Sequence, residues 1–515
     1  MNFLRKFFTK SAENMTPKQR WAALIVLSGA LFVVVMDMTI LFLALPDIIK
    51  DLNPDSTQQL WIIDVYSLIL AGLLIPMSVL ADRWGRKKIL LAGFAIFGIV
   101  SASVFFVDTA SHLIILRALL GVGGAMIMPA TLSMIRTIFT DGKERATALA
   151  VWAGISGLGT VAGPLVGGLL LDSMSWHSAF LINVPFAIIA VVAGLIILPE
   201  GRNAKPPRWD IIATTLAIAG MTGLVWSVKE LAKHKWHDIE ALLVLVAATL
   251  LLVLFVWRSY HQKNPMLEVR LFKRLSFTGS ALVAFFSMFA MSAMLLLISQ
   301  WMQLIEGWSP LKSGVALLPM GIGALLFAPL APKIALKLGA RSVLVGGLLA
   351  TSVGMGIVYL SSPLSYTELV PALICIGMGM ASLAVASAVI MSSTPEDTAG
   401  SAAAIEESVY ELGSVFGVAV VGSIAAATYR AHLDIASFSS SGVLGEAAKS
   451  ANESVAGAQA VSNLTQLPDL AIKATDAFNS SIATASLWAA AATVFAAIIV
   501  FLMIPKELNI TERHD

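Results

Sequence analysis

Apolar runs of about twenty residues recur along the whole chain, each bounded by a short charged or proline-bearing break. Twenty helical residues rise about 30 Å, the thickness of a bilayer's hydrocarbon core, so each run predicts one crossing. The runs fall near 21–43, 60–80, 89–107, 113–134, 147–171, 178–198, 210–228, 240–257, 275–301, 312–331, 342–360, 368–391, 402–427 and 482–504. Fourteen crossings put both chain ends on one side and predict an all-α integral membrane fold. One stretch, 428–481, is polar and rich in Ser, Ala, Asn and Glu. Spaced aliphatic residues over 456–480 suit amphipathic helices. The stretch reads equally as a mobile surface loop or as a hairpin capping one mouth of the bundle.

Composition agrees: 57% of the 515 residues are apolar and 13% are charged, about half the charged share of a soluble domain. The net charge of +2 carries no nucleic-acid signal, because the cations are scattered among short turns. With the N-terminus cytoplasmic, the inner segments hold 25 of the 34 Lys and Arg residues, the positive-inside bias of a multi-pass membrane protein. The outer segment 229–238, with Lys229, Lys233 and Lys235, is the exception. The first apolar run is too long for a signal-peptide core and stays as a helix. A single cysteine, Cys375, leaves no intramolecular disulfide or zinc cluster and suits packing. No P-loop appears, so neither a nucleotide-driven enzyme nor a cofactor or resident metal is expected.

Charges inside apolar runs need reasons. Arg117 lies within the fourth run and, at about 2.5 to 3.5 kcal/mol for insertion, calls for a counter-charge or a wet cavity. Five carboxylates share the predicament: Asp37, Asp64, Glu406, Glu407 and Glu411. Glu407 and Glu411, four apart, share a helix face, whereas Glu406 points about 100° away. Ionised together in a low dielectric they repel, so at least one holds a proton near neutral pH. A carboxyl that exchanges a proton for a cation performs the elementary step of antiport. Bonds to backbone or to Arg117 account for one or two of the acids, and poorly for all five. Trp61, Tyr66, Trp152, Tyr410, Phe416 and the Met288, Met291, Met294 series offer aromatic and adaptable surfaces for flat cations; for any single one of them, core packing is the more ordinary role. Trp61 and Tyr410 stand out, each one turn from a carboxylate.

The turn Leu80-Ala81-Asp82-Arg83-Trp84-Gly85-Arg86-Lys87-Lys88 resembles the major facilitator signature G-x-L-a-D-R-x-G-R-K, with Ser78 in place of its first Gly. Asp82 at the membrane edge can latch onto a cation or a helix N-terminus across two halves. Gly159, Gly163, Pro164, Gly167 and Gly168 resemble the superfamily's G-x-x-x-G-P-x-x-G-G motif, which marks drug:proton antiporters; as bare physics they form a close-packing seam with a bendable helix. Arg117-Ala-Leu-Leu-Gly121 resembles R-x-x-q-G, whose arginine is associated with proton coupling, with Leu120 in place of Gln. Trp176-His177-Ser178-Ala179-Phe180-Leu181-Ile182-Asn183-Val184-Pro185 and Met36-Asp37-Met38-Thr39-Ile40 with Ala44-Leu45-Pro46 resemble stretches of the fourteen-helix branch. The acidic segment Ala402–Gly413 is similar to that of quaternary-ammonium and methyl-viologen exporters of drug:proton antiporter family 2.

The resemblance implies a major facilitator fold: a six-helix bundle over 1–200, two inserted helices over 201–260, and a second six-helix bundle over 261–515 that includes the loop 428–481. A faint repeat supports duplication, Ala81–Lys87 being echoed by Ala335–Arg341 as basic turns with Gly two residues after a cation. It also implies a monomeric, proton-coupled exporter of lipophilic cations such as quaternary ammonium antiseptics and dyes. Helix ten has Ala324 and no acid, so monovalent cations are expected to be handled better than divalent ones. A transporter of a metabolite or metal-chelate drug, or a nontransporting scaffold or sensor built on the long loop, are the other readings; the scaffold leaves the buried acids unexplained.

Overall fold

The computed structural model describes residues 15–201, 209–233, 238–263, 265, 267–361, 363–394, 399–441, 443 and 445–506, and among these there is no β-strand. The crossing helices are α1 (Pro17–Leu52), α2 (Ser56–Trp84), α3 (Arg86–Phe106), α4 (Ala110–Ile138), α5 (Gly142–Leu171), α6 (Ser178–Ile197) and α7 (Ile211–Lys233). They continue with α8 (Ile239–His261), α9 (Leu275–Ile305), α10 (Pro310–Phe327), α11 (Ala340–Leu360), α12 (Tyr366–Ser392), α13 (Ala399–Phe416, running through a π turn at Gly417–Val421 into Gly422–Leu433) and α14 (Pro468–Met503). All-helical backbone is what lipid demands, since every N–H and C=O is satisfied within its own segment.

Helix starts are written locally. Thr16 caps α1 and Asp55 caps α2, each in a capping box with a glutamine three residues on, Gln19 and Gln58. The echoed basic turns prove structurally alike. Gly85 (φ +117°) joins α2 to α3, and Gly339 (φ +82°) precedes α11; a side chain there is strained by the positive φ. A Cβ on Gly85 would also meet Glu200, just past α6, and one on Gly339 would meet the carbonyl of Lys506, just past α14. Each glycine thus lets a turn press against the chain leaving another helix, α6 for Gly85 and α14 for Gly339.

Two boundaries differ from the sequence expectation. α7 extends to Lys233, so Lys229 lies inside a helix and is buried, not in an exterior segment. The stretch 428–481 is largely helical: α13 reaches Leu433, short helices span Gly445–Glu453 and Val455–Thr465, and α14 starts at Pro468. Its place in the fold is that of a cap over the face opposite the N-terminus. Glu453 accepts from the Ser56 backbone N–H at 2.8 Å, Arg430 donates to Ser56 Oγ at 3.2 Å, and Gln459 donates to the Leu304 carbonyl at 2.7 Å. On the same face Gln303 of α9 donates to the Leu43 carbonyl of α1 at 3.0 Å.

Small residues bring α1, α5 and α10 together there. Gly163 and Gly167 of α5 seat against Thr39 and Ile40 of α1, and Gly159 against the Phe32 carbonyl and Val35. A Cβ on Gly168 would stand 2.7 Å from both Leu311 Cα and the Pro310 carbonyl oxygen of α10, while Gly314 of α10 abuts the carbonyl of Pro164. Backbone atoms cannot swing aside, so Gly168→Ala and Gly314→Ala are expected to destabilise by about 1 to 3 kcal/mol through overpacking. Gly346→Ala on α11, where an added Cβ meets nothing within 4 Å, is the control. Thermal unfolding of the purified variants in detergent checks this: equal melting of all three contradicts the seam.

Candidate functional site

Three groups of buried charge lie along α1, α2, α4, α7 and α13. The first joins Asp37 of α1 to Arg117 of α4. Arg117 Nη1 donates to Asp37 Oδ2 at 2.8 Å, with the side chains 2% and 0% exposed. Asn183 of α6 donates to Asp37 Oδ1 at 2.6 Å and Arg117 Nε to the Ile62 carbonyl at 3.1 Å. The guanidinium also lies 4.5 Å from the Tyr66 ring centre and 5.9 Å from that of Phe180, within cation–π range. Both carboxylate oxygens of Asp37 are therefore occupied, and the arginine has its counter-charge.

Asp64 of α2 finds its partner outside the first six helices. Lys229 Nζ of α7 sits 2.8 Å from Asp64 Oδ2, each side chain 1% exposed, and 4.1 Å from the centre of the Trp61 ring. Neither Asp64 oxygen has a well-directed hydrogen bond, so charge, more than bond direction, holds the pair.

On α13 the turn of 100° per residue separates the acids as expected. Glu406 accepts from the Tyr410 hydroxyl at 2.7 Å and from Ser387 of α12. Glu411 faces α2, where it accepts from Ser67, while its Oε2 is buried without a partner. Glu407 is half-buried, and its charged neighbours are Glu406 and Glu411. Among the described residues no basic side chain pairs with any of the three. Tyr66, fully buried and with its hydroxyl unpartnered, stands between groups, near Asp37, Arg117 and Glu411. α13 reaches this depth because Gly413 and Gly417 abut the Phe285 and Phe289 carbonyls of α9, and the π turn that begins at Gly417 follows directly on the acidic segment; such turns recur at functional sites.

The remaining candidates divide. Trp61 and Phe416 meet in one apolar cluster with Leu68, Met221 and Val225. Met288, half-buried, lies by Gly413, but Met291 and Met294 are buried in the main core, and Trp152 donates to Thr131 of α4 at 3.3 Å. In the signature turn Asp82 pairs not across the halves but with Arg86, four residues on, at 2.8 Å; Arg86 also bonds Thr137 of α4, and Arg83 is exposed. The residue that sequence reasoning passed over there is Lys87, fully buried, whose Nζ donates to the Leu195 and Leu198 carbonyls at the end of α6 at 2.9 and 2.8 Å, a favourable place for a cation.

Comparison with known proteins places this geometry. The chain is 38% identical over 493 residues to the multidrug efflux pump LfrA of Mycolicibacterium smegmatis, covering 94% of this chain and 96% of the relative. It is 34% identical over 447 residues to the methyl viologen resistance protein SmvA of Salmonella typhimurium, covering 84% and 90%. Among solved structures, a bacterial homologue of the human lysosomal transporter Spinster, in an inward-facing and unoccupied conformation, superposes with a TM-score of 0.67 at 15% identity, covering 95% of this chain and 98% of the other; that likeness concerns the fold alone. Residues 27–418 match the Major Facilitator Superfamily. With its tiers of apolar helices and its buried charge, this multi-pass membrane protein is a transporter of the Major Facilitator Superfamily.

Proposed function

We propose that the protein is a proton-coupled exporter of lipophilic organic cations in a bacterial cytoplasmic membrane, with both termini on the cytoplasmic side. The observation that carries this is the acids of α13: Glu407 and Glu411 share one face and, like Glu406, have no basic partner among the described residues, while Asp37 and Asp64 each pair with a buried cation. Buried carboxylates without a counter-cation must be neutralised. A proton does so in one half of the cycle and the cargo's positive charge in the other. The likeness to LfrA and SmvA supports export of toxic compounds, and Trp61, Phe416 and Met288 supply aromatic and adaptable surface close by.

The seam between α5 and α10 and the cap over the face opposite the N-terminus support a state closed on the exterior side, in which cargo enters from the cytoplasm. A division into residues 1–200 and 261–515, with α7 and α8 inserted, fits rocking of one half against the other.

Adding a monovalent cationic dye to the purified protein in weakly buffered detergent is expected to release protons, saturating with the dye. A divalent dye at matched concentration is expected to be expelled less well from vesicles. Dye binding with no proton release would remove the coupling. Divalent dyes expelled as fast would remove the valence preference while leaving the coupling standing.

A further inference from the structure

The helix that carries Lys229 packs one stripe of side chains against α2. Ile218 fits against Gly72, where a Cβ would come within 2.8 Å of it; Met221 and Val225 join Leu68 in one cluster; Lys229 closes the series at Asp64 and Trp61. Positions 218, 221, 225 and 229 follow one helical face, and they meet 72, 68 and 64 in antiparallel order. Three members are apolar and the fourth is a cation. Val415, Phe416 and Ala419 of α13 pack into the same cluster, and Ser67, one turn from Asp64, bonds Glu411.

A carboxylate beside the face of a tryptophan, walled off from water, is the arrangement that holds a lipophilic cation. Here the place is taken by the protein's own ammonium. Asp64 has no other basic partner among the described residues, and Lys229 Nζ has no well-directed hydrogen bond. Lys229 is also one turn from Lys233, the last described residue of α7. Its four-carbon stem is therefore long enough to carry the ammonium about 6 Å to the polar layer, as lysines near helix ends do.

We propose that Lys229 is a tethered cation that fills the Asp64–Trp61 subsite of the empty transporter and is displaced by the positive charge of the cargo. The inference rests on the reading of the cargo as a lipophilic cation. Lys229 sets a threshold: only a cation that gains more from the aromatic face and the neighbouring apolar wall than an ammonium does takes the subsite. Small hydrophilic amines are thereby excluded. Because Lys229 belongs to α7, displacement also unfastens one end of that helix from α2, linking occupancy to the inserted pair.

Equilibrium binding of tetraphenylphosphonium to purified protein in lipid nanodiscs tests this. If Lys229 holds the subsite in about nine empty molecules of ten, removing it tightens apparent affinity about tenfold. Lys229→Met is expected to show that gain, and Asp64→Asn/Lys229→Met to lose it. A folded Lys229→Met protein with unchanged or weaker affinity overturns the proposal while leaving cation transport intact. Absence of binding by the unaltered protein and all variants would overturn the cation reading itself, and this inference with it. Should Lys229→Met not fold, the unaltered protein still decides: saturating tetraphenylphosphonium is expected to raise acylation of Lys229 by an amine reagent, read by peptide mass spectrometry. Labelling that is unchanged or reduced overturns displacement.

Discussion

Glu407→Gln/Glu411→Gln is expected to abolish dye-induced proton release and to cut dye efflux from energised vesicles by at least about a hundredfold, with the protein still folded. Amides keep the shape of the acids and one acceptor oxygen but remove the charge that attracts the cargo and the site that takes the proton. The loss of two charged contacts to the cargo, each worth on the order of 1.5 to 3 kcal/mol for a bond to a charged group, corresponds to that factor or more. Folding is spared because neither acid balances a buried cation among the described residues; removing their mutual repulsion, if anything, favours the native state. Efflux by the folded double variant at the unaltered rate would mean that the charge of α13 is incidental.

Asp37→Asn is expected to have the opposite character, a loss of the folded protein itself. Its carboxylate balances Arg117 in a site where the two side chains are 0% and 2% exposed. Breaking such a pair from one side strands a buried charge and destabilises by about 3 to 5 kcal/mol. Arg117→Met alone is expected to harm to a similar degree, whereas Asp37→Asn/Arg117→Met removes both charges and is expected to recover most of the lost stability in a thermal melt. The double variant then isolates transport from folding. Restored melting with no efflux assigns the pair to coupling, whereas restored melting with full efflux makes it a strut. A double variant no more stable than either single one would contradict the pairing.

Much of the frame was legible in the chain. Fourteen apolar runs translate into fourteen helices because a bilayer permits few other solutions, and the stray acids and Arg117 announced themselves because lipid tolerates charge only where it is answered. The echo of Ala81–Lys87 in Ala335–Arg341 also anticipated two turns with the same positive-φ glycine. Lys229 was misread because a lysine after an apolar run ordinarily marks the membrane's edge; the clue was available in the phase of Ile218, Met221 and Val225, which carries the buried face on to position 229.

What the sequence by itself determined is the succession of long apolar helices and the set of charges that had to be reconciled inside them, since both follow from hydropathy along one dimension. Only the tertiary structure decided which charges meet. Asp37 and Arg117 are 80 residues apart and belong to different helices; Asp64 is joined to Lys229 of α7; the three acids of α13 have no basic partner among the described residues. Helical periodicity tells which residues share a face but not which helix that face meets. Pairing across helices depends on how small residues such as Gly72, Gly163 and Gly413 let particular backbones approach, and that is a property of the packed bundle.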